Sequence, residues 1–457
     1  MSNIANTYYP QSGRLVILGA GESGVGAAIL GKDKGFDVFV SDMGTIAEGY
    51  LNSLQAEGIA FESGQHTEAL IHNADLIVKS PGIPEKAALI QQLRAMGKPI
   101  ISEIEFAAQY TDAKLFCITG SNGKTTTTLL TYHLLKDAGL NVGLAGNIGN
   151  SFALQVAREQ HDCYVLEISS FMLDDMYHFR ADVAVLLNIT PDHLDRYEYK
   201  MENYVASKFR IVQNQKESDY FIYCQDDAET VAALEKHPTA AMHLPFTQEG
   251  TLAQGAFVDS DKNLNIIVPN REAFIMNIEE LSLQGRHNVY NNSAAGLVAK
   301  VQELRNKVMQ DSMRSFENVA HRLEHVACIG GVNYINDSKA TNVNSVWYAL
   351  ESFSTDIVLI MGGVDKGNDY EMLRDLVKSK VKAIICIGKD TSRIHEAFED
   401  DTDVIVNSAS MGDAVQIASH LAKKGDTVLL SPACASFDWF KNYEDRGDQF
   451  KDAVMHL

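Results

Sequence analysis

The chain has 457 residues, which corresponds to about three domains at roughly 150 residues per domain. Hydrophobic residues make up 46% and charged residues 22%, and no run reaches the roughly 18 apolar residues of a membrane span. We therefore expect ordinary apolar cores and no membrane insertion. The formal net charge of −21 argues against nucleic-acid binding, because an acidic field repels a polyanion. Phosphates would have to be bound by local loops, helix ends and metal ions.

Six cysteines are scattered along the chain, without a CxxC pair or a Cys/His ligand spacing. This pattern is typical of reduced thiols in the cytoplasm and argues against a structural zinc site. The first 14 residues contain neither a basic n-region nor an apolar h-region, so no secretory signal is predicted. We expect a monomeric, cytoplasmic protein.

Strand-like apolar segments alternate with helical patterns in three blocks, with predicted limits 1–110, 111–319 and 320–457. Such alternation predicts an α/β fold with parallel, doubly wound sheets. The strand-like segments begin at residues 14, 37 and 74 in the first block, at 114, 163 and 183 in the second, and at 326, 356, 381 and 426 in the third.

The first block opens with a glycine-rich turn. Gly19 to Gly24 matches GxGxxG between a strand and a helical pattern, and Asp42 lies 18 residues past Gly24 at the end of the next strand. That acid stands where a ribose-binding acid would be in a dinucleotide site. A dinucleotide, another nucleotide, and simple packing of a helix on a strand all remain open from this motif alone.

The second block carries a sharper phosphate loop, from Thr119 to Thr126. Its pattern is GxxGKT, because Ile118 stands where the longer GxxxxGK[ST] loop has its first glycine. Glycines let backbone N–H groups surround phosphate oxygens, and the helix that follows adds a favourable dipole. Lys124 can reach the β- and γ-phosphates, and the Thr125 hydroxyl can bind Mg²⁺. The loop therefore favours ATP.

Two further side chains follow neighbouring apolar strands of this block. Glu167 ends one strand and His193 comes shortly after the next, so both are expected at the sheet edge that carries the phosphate loop. Glu167 and Thr125 suit one Mg²⁺ ion, which prefers oxygen ligands. His193 is a less usual Mg²⁺ ligand and could instead pack against the strand end. Lys208, from local sequence alone, is predicted to be an exposed helical lysine.

These motifs together resemble the ATP-dependent Mur ligases over essentially the whole chain. The resemblance implies a three-domain α/β fold with a Rossmann-like UDP-binding N-terminal domain, a central P-loop ATPase domain and a Rossmann-like C-terminal domain. The segments that carry it are GSNGKTT (120–126), AGNIG (145–149), LEISSF (166–171), DHLDRY (192–197), GRHNVYN (285–291), HRLE (321–324), NDSKATN (336–342) and SPACASFDWF (431–440).

The resemblance also implies roles for individual residues. ATP would be bound by Gly120, Asn122, Gly123, Lys124, Thr125, Thr126, Asn288, Asn291, His321, Arg322 and Asp337. The UDP substrate would be bound by Gly21, Glu22, Ser23, Gly24, Asp42, Ser80, Pro81, Gly82, Asn147 and His193. Two Mg²⁺ ions would be held by Thr125, Glu167, His193 and Lys208, with Lys208 as its N-carbamate; Lys124, His193 and Lys208 would be catalytic. Arg322 and Asp337 belong to the third block, which would have to close over the ATP.

Within the family, the chain is similar to the ligases that add D-glutamate to UDP-N-acetylmuramoyl-L-alanine during peptidoglycan precursor synthesis. The DNPR signature of the diaminopimelate- and lysine-adding enzymes is absent. One departure is that Met43 and Gly44 follow the strand-two acid, where related ligases often have an arginine near uracil. The D-glutamate would be held by Lys339, Thr341, Lys366, Ser436 and Tyr443.

Parts of the sequence are also compatible with other activities. A sister muramyl ligase or a folylpolyglutamate synthase would share the three-domain plan, but the segment 431–440 and the missing DNPR argue against both. An NAD(P)-dependent oxidoreductase would use the GxGxxG turn and leave the ATP loop without a role. A nucleotide-binding regulator without catalysis would leave the acid, histidine and lysine beside that loop unexplained.

Overall fold

A computed structural model describes residues 8–317, 320–353, 355–365 and 367–457. The predicted ligand Lys366 and the predicted domain limit at residue 319 lie outside these described residues. The chain divides into two compact units. Unit 1 contains the described residues up to Gln284 together with Asn288–Phe316, and unit 2 contains Gly285–His287 and Glu317–Leu457. Among the described residues, no helix combines the length and the apolar character needed to span a membrane.

The first sheet of unit 1 is entirely parallel. Its strands are β1 (Arg14–Leu18), β2 (Asp37–Asp42), β3 (Ala60–Ser63), β4 (Leu76–Lys79) and β5 (Ile100–Ile101), in the order β3-β2-β1-β4-β5. The helices are α1 (Glu22–Asp33), α2 (Glu48–Ala56), α3 (Glu68–Ile71), α4 (Ala88–Ala95) and α5 (Glu103–Ala108). The central strand β1 is apolar and buried from Leu15 to Leu18, as expected for a parallel strand that is covered on both faces.

The second sheet of unit 1 has nine strands. They are β6 (Lys114–Thr119), β7 (Val142–Gly146), β8 (Cys163–Glu167), β9 (Val183–Leu186), β10 (Tyr220–Cys224), β11 (Met242–Thr247), β12 (Gly255–Val258), β13 (Asn263–Ile267) and β14 (Phe274–Asn277). Their order is β14-β13-β12-β11-β10-β9-β6-β8-β7, parallel except where β13 pairs with β12 and with β14.

Helices follow most of these strands. They are α6 (Lys124–Asp137), α7 (Phe152–Arg158), α8 (Ser170–Leu173), α9 (Met201–Phe209), α10 (Ala228–Ala233), α11 (Arg286–Val301) and α12 (Asn306–Ser315), with short 3₁₀ helices at Leu194–Arg196, Arg210–Val212 and Ile278–Glu280. Strand β6 lies between β8 and β9, with Ile118 opposite Glu167 and Thr119 opposite Leu186. The carboxyl ends of these three strands therefore share one edge, as the sequence predicts.

Unit 2 contains a six-stranded sheet. Its strands are β15 (Glu324–Ile329), β16 (Val332–Asn336), β17 (Ile357–Gly362), β18 (Val381–Ile387), β19 (Ile405–Asn407) and β20 (Thr427–Leu430), in the order β15-β16-β20-β17-β18-β19. Only the pair of β15 and β16 is antiparallel. The helices are α13 (Val343–Glu351), α14 (Arg374–Lys380), α15 (Ser392–Phe398), α16 (Met411–Leu421) and α17 (Tyr443–Met455), with a 3₁₀ helix at Glu371–Leu373.

The segment that begins at residue 326 forms a hairpin, and the prediction of a single strand there is wrong. Gly330 and Gly331 have φ of 60° and 82°, which are the left-handed values that a tight two-residue hairpin turn requires. The predicted α/β class with parallel sheets is confirmed by the three sheets. The limits at residues 110 and 319 stay a prediction, and the first two sheets belong to one compact unit.

Helix α5 joins these two sheets through buried carboxylates. Glu103 Oε1 accepts hydrogen bonds from Ser151 Oγ at 2.7 Å and from the backbone N–H of Ala153 at 2.6 Å, at the start of α7. Glu105 accepts the backbone N–H groups of residues 177, 178 and 179 at 3.1, 2.9 and 2.9 Å. Since an unpaired buried carboxylate is costly, these contacts fix the first sheet against the second.

Stability should depend on the pH through Glu103. Burial raises the pKa of this carboxyl from 4.5 to about 7, and the hydrogen bonds from Ala153 and Ser151 oppose the shift. Because the folded pKa exceeds the unfolded one, this group's contribution to stability is present below pH 4.5 and is lost as the pH rises through about 7. The variant Glu103→Gln keeps an oxygen acceptor and cannot ionise. We expect the urea concentration at the unfolding midpoint of Glu103→Gln, minus that of the unsubstituted protein, to be higher at pH 8 than at pH 5.

The exposed Glu235 provides the control variant Glu235→Gln, whose relative midpoint should be the same at both pH values. A relative midpoint of Glu103→Gln that does not change between pH 5 and pH 8 would contradict the assigned shift.

Candidate functional site

The loop between β6 and α6 has the backbone geometry of an anion site. Gly120 and Gly123 have φ of 151° and 84°, and Gly123 is the N-cap of the 14-residue helix α6. A Cβ at Gly123 would lie 2.5 Å from Asn291 Oδ1. Side chains are therefore excluded at this turn, and the N–H groups at the helix start are available to phosphate oxygens.

The segment after β9 fastens this loop. Asn188 accepts the backbone N–H of Ser121 at its carbonyl at 2.9 Å and that of Asn122 at its side-chain oxygen at 2.8 Å. The Ser121 hydroxyl donates to the carbonyl of Thr190 at 2.8 Å. These hydrogen bonds hold the phosphate loop and the segment that leads to His193 together without a ligand.

Two lysines converge on one carbonyl of the loop. The Gly120 oxygen accepts hydrogen bonds from Lys124 Nζ at 2.7 Å and from Lys208 Nζ at 2.8 Å. Lys208 is 1% exposed, and the local-sequence prediction that it is an exposed helical lysine is wrong because α9 packs it behind the loop. Burial, and next the charge of Lys124, hold the pKa of Lys208 well below its usual value. A buried amine of low pKa is neutral more often, which is the form that can add carbon dioxide.

Glu167 lies buried at the end of β8 with one oxygen unsatisfied. Its Oε1 accepts a hydrogen bond from Asn147 Nδ2 at 2.8 Å, and the Asn147 backbone N–H donates to the Glu167 carbonyl at 2.8 Å. Within the described residues, Glu167 Oε2 has no hydrogen-bond partner. A buried carboxylate oxygen in this state suits a hard cation. The buried Thr125 lies in the first turn of α6.

The described part of the chain contains no group of three or more His, Cys, Asp and Glu side chains that could hold a metal ion. Mg²⁺ does not need such a cage, because it is commonly bound by one or two carboxylates together with nucleotide oxygens.

His193 belongs to a segment that reaches the first sheet. Its backbone is left-handed, with φ of 53°, its side chain is 38% exposed, and its ring centre lies 5.1 Å from that of Phe171. The guanidinium of Arg196 lies 4.5 Å from the centre of the same ring and donates to the Pro81 carbonyl at 2.9 Å. His193 is partly exposed and contacts Phe171, so its roles as a ligand and as a residue that packs against the strand end both stay predictions. Arg196, which the residue-by-residue prediction did not select, connects it with the predicted UDP-binding turn.

That turn borders a cavity of about 250 Å³ whose lining includes Pro81, Phe171 and Arg196. Ser80 and Gly82 belong to the same turn, since the backbone N–H of Ile83 donates to the Ser80 carbonyl.

The glycine-rich turn of the first sheet has clear packing roles. Asp42 accepts the backbone N–H of Ala20 at 2.6 Å and that of Gly44 at 2.7 Å, so its carboxylate orders the turn itself. A Cβ at Gly24 would lie 1.9 Å from the Gly19 carbonyl oxygen. Close helix packing therefore accounts for Gly24, and ligand binding at this turn stays a prediction.

The start of α1 contacts α7 through one side chain and borders open space at its N-cap. Glu22 Oε1 accepts the backbone N–H of Ser151 at 3.0 Å, which ties α1 to α7. A Cβ at Gly21, the N-cap of α1, would meet no atom within 4 Å. Ser23 follows in the first turn of α1, beside this open space.

The predicted ATP residues of α11 lie beside the phosphate loop. Asn291 Oδ1 accepts a hydrogen bond from Thr127 Oγ1 at 3.1 Å, and Asn291 Nδ2 donates to Asn288 Oδ1 at 3.0 Å. Thr126, in the first turn of α6, has a buried hydroxyl that makes no hydrogen bond to a described residue. The structure thus brings Asn288, Asn291 and the loop together.

In unit 2, the predicted ATP residue Asp337 follows β16, and the predicted ATP residues His321 and Arg322 precede β15. Asp337 is buried and accepts hydrogen bonds from Ser431 Oγ at 2.9 Å and from the Leu323 backbone N–H at 3.2 Å. Burial raises the pKa of Asp337 to about 7, and the neighbouring Arg322 opposes the shift. His321 has a left-handed backbone with φ of 64°.

Two of the predicted D-glutamate residues of unit 2, Lys339 and Tyr443, lie close together. Lys339 Nζ lies 5.2 Å from the ring centre of Tyr443, and the Ser338 hydroxyl donates to the Tyr443 carbonyl at 2.8 Å. Thr341 follows in the same loop, and Ser436 is 2% exposed. Lys366 lies outside the described residues. The sequence prediction missed the buried Arg446, and no local pattern marks it.

Comparison with known proteins gives consistent matches along the chain. Family profiles match for the Mur ligase MurD-like N-terminal domain at residues 13–102, the Mur ligase middle domain at 118–299 and the Mur ligase glutamate ligase domain at 321–434. The chain is 55% identical over 448 residues to the UDP-N-acetylmuramoylalanine–D-glutamate ligase of Bacteroides fragilis, covering 97% of this chain and 100% of that protein. It is 56% identical over 446 residues to the ligase of the same name from Bacteroides thetaiotaomicron, with the same coverage.

Among solved structures, the pseudomurein peptide ligase type C of Methanothermus fervidus is similar in fold. The TM-score is 0.63 at 20% identity, covering 97% of this chain and 99% of that one. At this identity the likeness concerns the fold alone. Together with the matched domains, it confirms the predicted three-domain α/β architecture.

Gly123 offers a direct test of the phosphate loop. The variant Gly123→Ala should lose affinity for a fluorescent ATP analogue by about tenfold or more, because a left-handed alanine costs about 1 kcal/mol and its Cβ collides with Asn291. Gly139 has nearly the same φ, 83°, with no atom within 4 Å of a Cβ, so Gly139→Ala pays the backbone cost alone. Equal affinities of the two variants would contradict a nucleotide site at this loop.

Proposed function

Because the chain belongs to the Mur ligase family, we propose that it is the ATP-dependent ligase that adds D-glutamate to UDP-N-acetylmuramoyl-L-alanine. The observation that carries this proposal is the 55% identity to a ligase of that name, maintained over 97% of the chain. The convergence of Lys124 and Lys208 on the loop beside Glu167 supplies the chemistry such an enzyme needs. The reaction would serve peptidoglycan precursor synthesis in the cytoplasm.

We propose that two Mg²⁺ ions bind beside the phosphate loop. Thr125 and Glu167 would hold the first, and the unsatisfied Glu167 oxygen supports this assignment. His193 and Lys208 would hold the second, with Lys208 as its N-carbamate, a buried anion whose charge Lys124 and the bound ion would offset. Bound Mg²⁺ would neutralise charge on the phosphates.

The first chemical step activates a poor electrophile. The alanyl carboxylate attacks the γ-phosphorus of ATP, the bond to the bridging oxygen breaks, and ADP leaves with that oxygen. Lys124 at the loop neutralises charge on the transferring phosphoryl group. The backbone N–H groups at the start of α6 orient the phosphates. An acyl phosphate is the product of this step.

In the second step the neutral amine of D-glutamate attacks the acyl carbon. The tetrahedral intermediate collapses to the amide, inorganic phosphate leaves, and the amine proton passes to a base. His193 could be that base only if the metal does not fully engage it, because a ring nitrogen bound to Mg²⁺ cannot also accept the proton. Lys339, Thr341, Ser436, Tyr443 and Lys366 would hold the two carboxylates of D-glutamate. We also propose the sites for the UDP substrate, for ATP and for D-glutamate as the sequence predicts them. The same holds for the monomeric state and for the domain limits.

Phosphate release from Mg·ATP tests the reaction. The assay combines UDP-N-acetylmuramoyl-L-alanine with D-glutamate, L-glutamate, lysine or diaminopimelate, one at a time. We expect release that requires the UDP substrate and is stimulated by D-glutamate alone, because the D-glutamate-adding relatives are the ones the chain matches at more than 50% identity. Stimulation by another amino acid would overturn the substrate assignment. No release from folded protein would overturn the ligase proposal.

The carbamate on Lys208 can be observed without relying on turnover. In ¹³C-labelled bicarbonate, the unsubstituted protein and the exposed-lysine control Lys200→Gln should show a carbamate ¹³C resonance that Lys208→Gln lacks. Activity of Lys208→Gln should fall roughly 100-fold, as for the loss of a metal-site group. An unsubstituted enzyme that shows no resonance and stays fully active in bicarbonate-depleted buffer would contradict the carbamate.

A further inference from the structure

Unit 2 contains a completely buried guanidinium. Arg446 lies in the first turn of α17 and is 0% exposed, the bulkiest side chain among those the structure buries fully. Burying a charge is costly unless it is well hydrogen-bonded. A buried arginine must therefore make strong hydrogen bonds to the residues that it contacts.

Arg446 donates to three separate segments. Its Nε donates to Ser338 Oγ at 2.9 Å and its Nη2 to the Ser338 carbonyl at 2.8 Å. Its Nη1 donates to the carbonyls of Cys434 at 3.0 Å and Gly362 at 3.4 Å. Ser338 and Cys434 follow β16 and β20, and Gly362 is the last residue of β17. These three strands are adjacent in the sheet. One planar group therefore sets the spacing of three neighbouring strand ends.

Those three segments are the ones that lead to the proposed D-glutamate residues. Lys339 and Thr341 follow Ser338 directly, Ser436 is two residues after Cys434, and Lys366 is four residues after Gly362. The Ser338 hydroxyl that accepts from Arg446 also donates to the Tyr443 carbonyl at 2.8 Å. Arg446 thus hydrogen-bonds directly to the segments that lead to Lys339, Thr341 and Ser436, and it connects with Tyr443 through Ser338.

All the acceptors of Arg446 among the described residues are neutral. They are three carbonyls and one hydroxyl, while Asp337 and Asp438 act on the guanidinium only at longer range. The cation is therefore not neutralised by a bound carboxylate. Its positive potential remains behind segments that would bind a substrate with two carboxylates.

The residue after Arg446 fixes the start of α17 as well. The Gly447 carbonyl accepts a hydrogen bond from Asn336 Nδ2 at 3.3 Å, and a Cβ at Gly447 would lie 2.1 Å from His321 Nδ1. The helix start is therefore in close contact with β16 and with the loop before β15. Arg446 therefore cannot move far unless the three segments that accept its hydrogen bonds move with it.

We propose that Arg446 is a positioning residue for D-glutamate, whose guanidinium fork holds the three substrate-binding segments in register. This inference rests on the proposed function. The fork is essential because arginine presents five donors in one plane, whereas lysine directs three donors from a single atom and cannot reach all three segments.

The test compares Arg446→Lys with Arg374→Lys. Arg374 lies in the same unit, at the start of α14, and pairs with Asp401 at 2.6 Å, so its change controls for an arginine-to-lysine substitution outside the D-glutamate segments. We expect Arg446→Lys to lose at least about tenfold in kcat/KM for D-glutamate, as for a slightly misplaced reactant. The KM values for ATP and for UDP-N-acetylmuramoyl-L-alanine should stay within twofold, and Arg374→Lys should match the unsubstituted enzyme.

Ser338→Ala replaces this test if Arg446→Lys does not fold. It removes the hydroxyl that joins Arg446 to Tyr443 and should raise the KM for D-glutamate selectively, by a smaller factor. Values of kcat/KM for D-glutamate within twofold of the unsubstituted enzyme, or equal losses for all three substrates, would overturn the positioning role.

Acyl-phosphate formation separates this proposal from the proposed function, since it needs no amino acid. Borohydride reduction of the acyl phosphate to an alcohol reports that step. We expect the unsubstituted enzyme and Arg446→Lys to form equal amounts of the alcohol. Absence of the alcohol from the unsubstituted enzyme would refute the proposed function. A large loss in Arg446→Lys alone would refute a role confined to D-glutamate.

Discussion

The carbonyl oxygen of Gly120 accepts hydrogen bonds from both Lys124 and Lys208, and the proposed chemistry of unit 1 depends on this contact. Burial favours the neutral amine of Lys208, and two ammonium groups around one neutral oxygen, away from water, would experience strong mutual repulsion. A nucleotide phosphate relieves it by adding negative charge, and a carbamate relieves it by converting one cation into an anion. The glycine at position 123 and the fastening of the loop by Asn188 keep the lysines in place.

The first and second sheets belong to one compact unit because buried carboxylates connect them. Glu103 and Glu105, two residues apart on α5, each satisfy N–H groups of a different segment of the second sheet. Lys79 adds an ion pair with the buried Asp175 at 2.9 Å. Each of these charges would be costly if its partner moved away. The predicted UDP-binding turn is consequently held at a fixed position relative to the His193 segment, through Arg196.

In unit 2, a buried cation connects neighbouring segments as the buried carboxylates do in unit 1. A buried cation, Arg446, holds strand ends through neutral oxygens, while the buried Asp337 is held by a hydroxyl and a backbone N–H. In both units, a buried ionised or ionisable group fixes loops that carry proposed ligand residues. Hydrogen bonds to such groups are stronger and more directional than apolar contacts, which suits sites that need defined geometry.

The sequence by itself determined the α/β class, the phosphate loop, the family and the sheet edge on which Glu167 and the loop lie, because these follow from local backbone patterns and strand ends. Tertiary structure decided which side chains are buried and what they contact. Local sequence predicts that Lys208 is exposed, and it is buried only because its helix packs behind a loop 88 residues away. Arg446 gains its partners from segments up to 108 residues distant. Burial and hydrogen bonding across such separations depend on the packing of the whole unit, which no local pattern encodes.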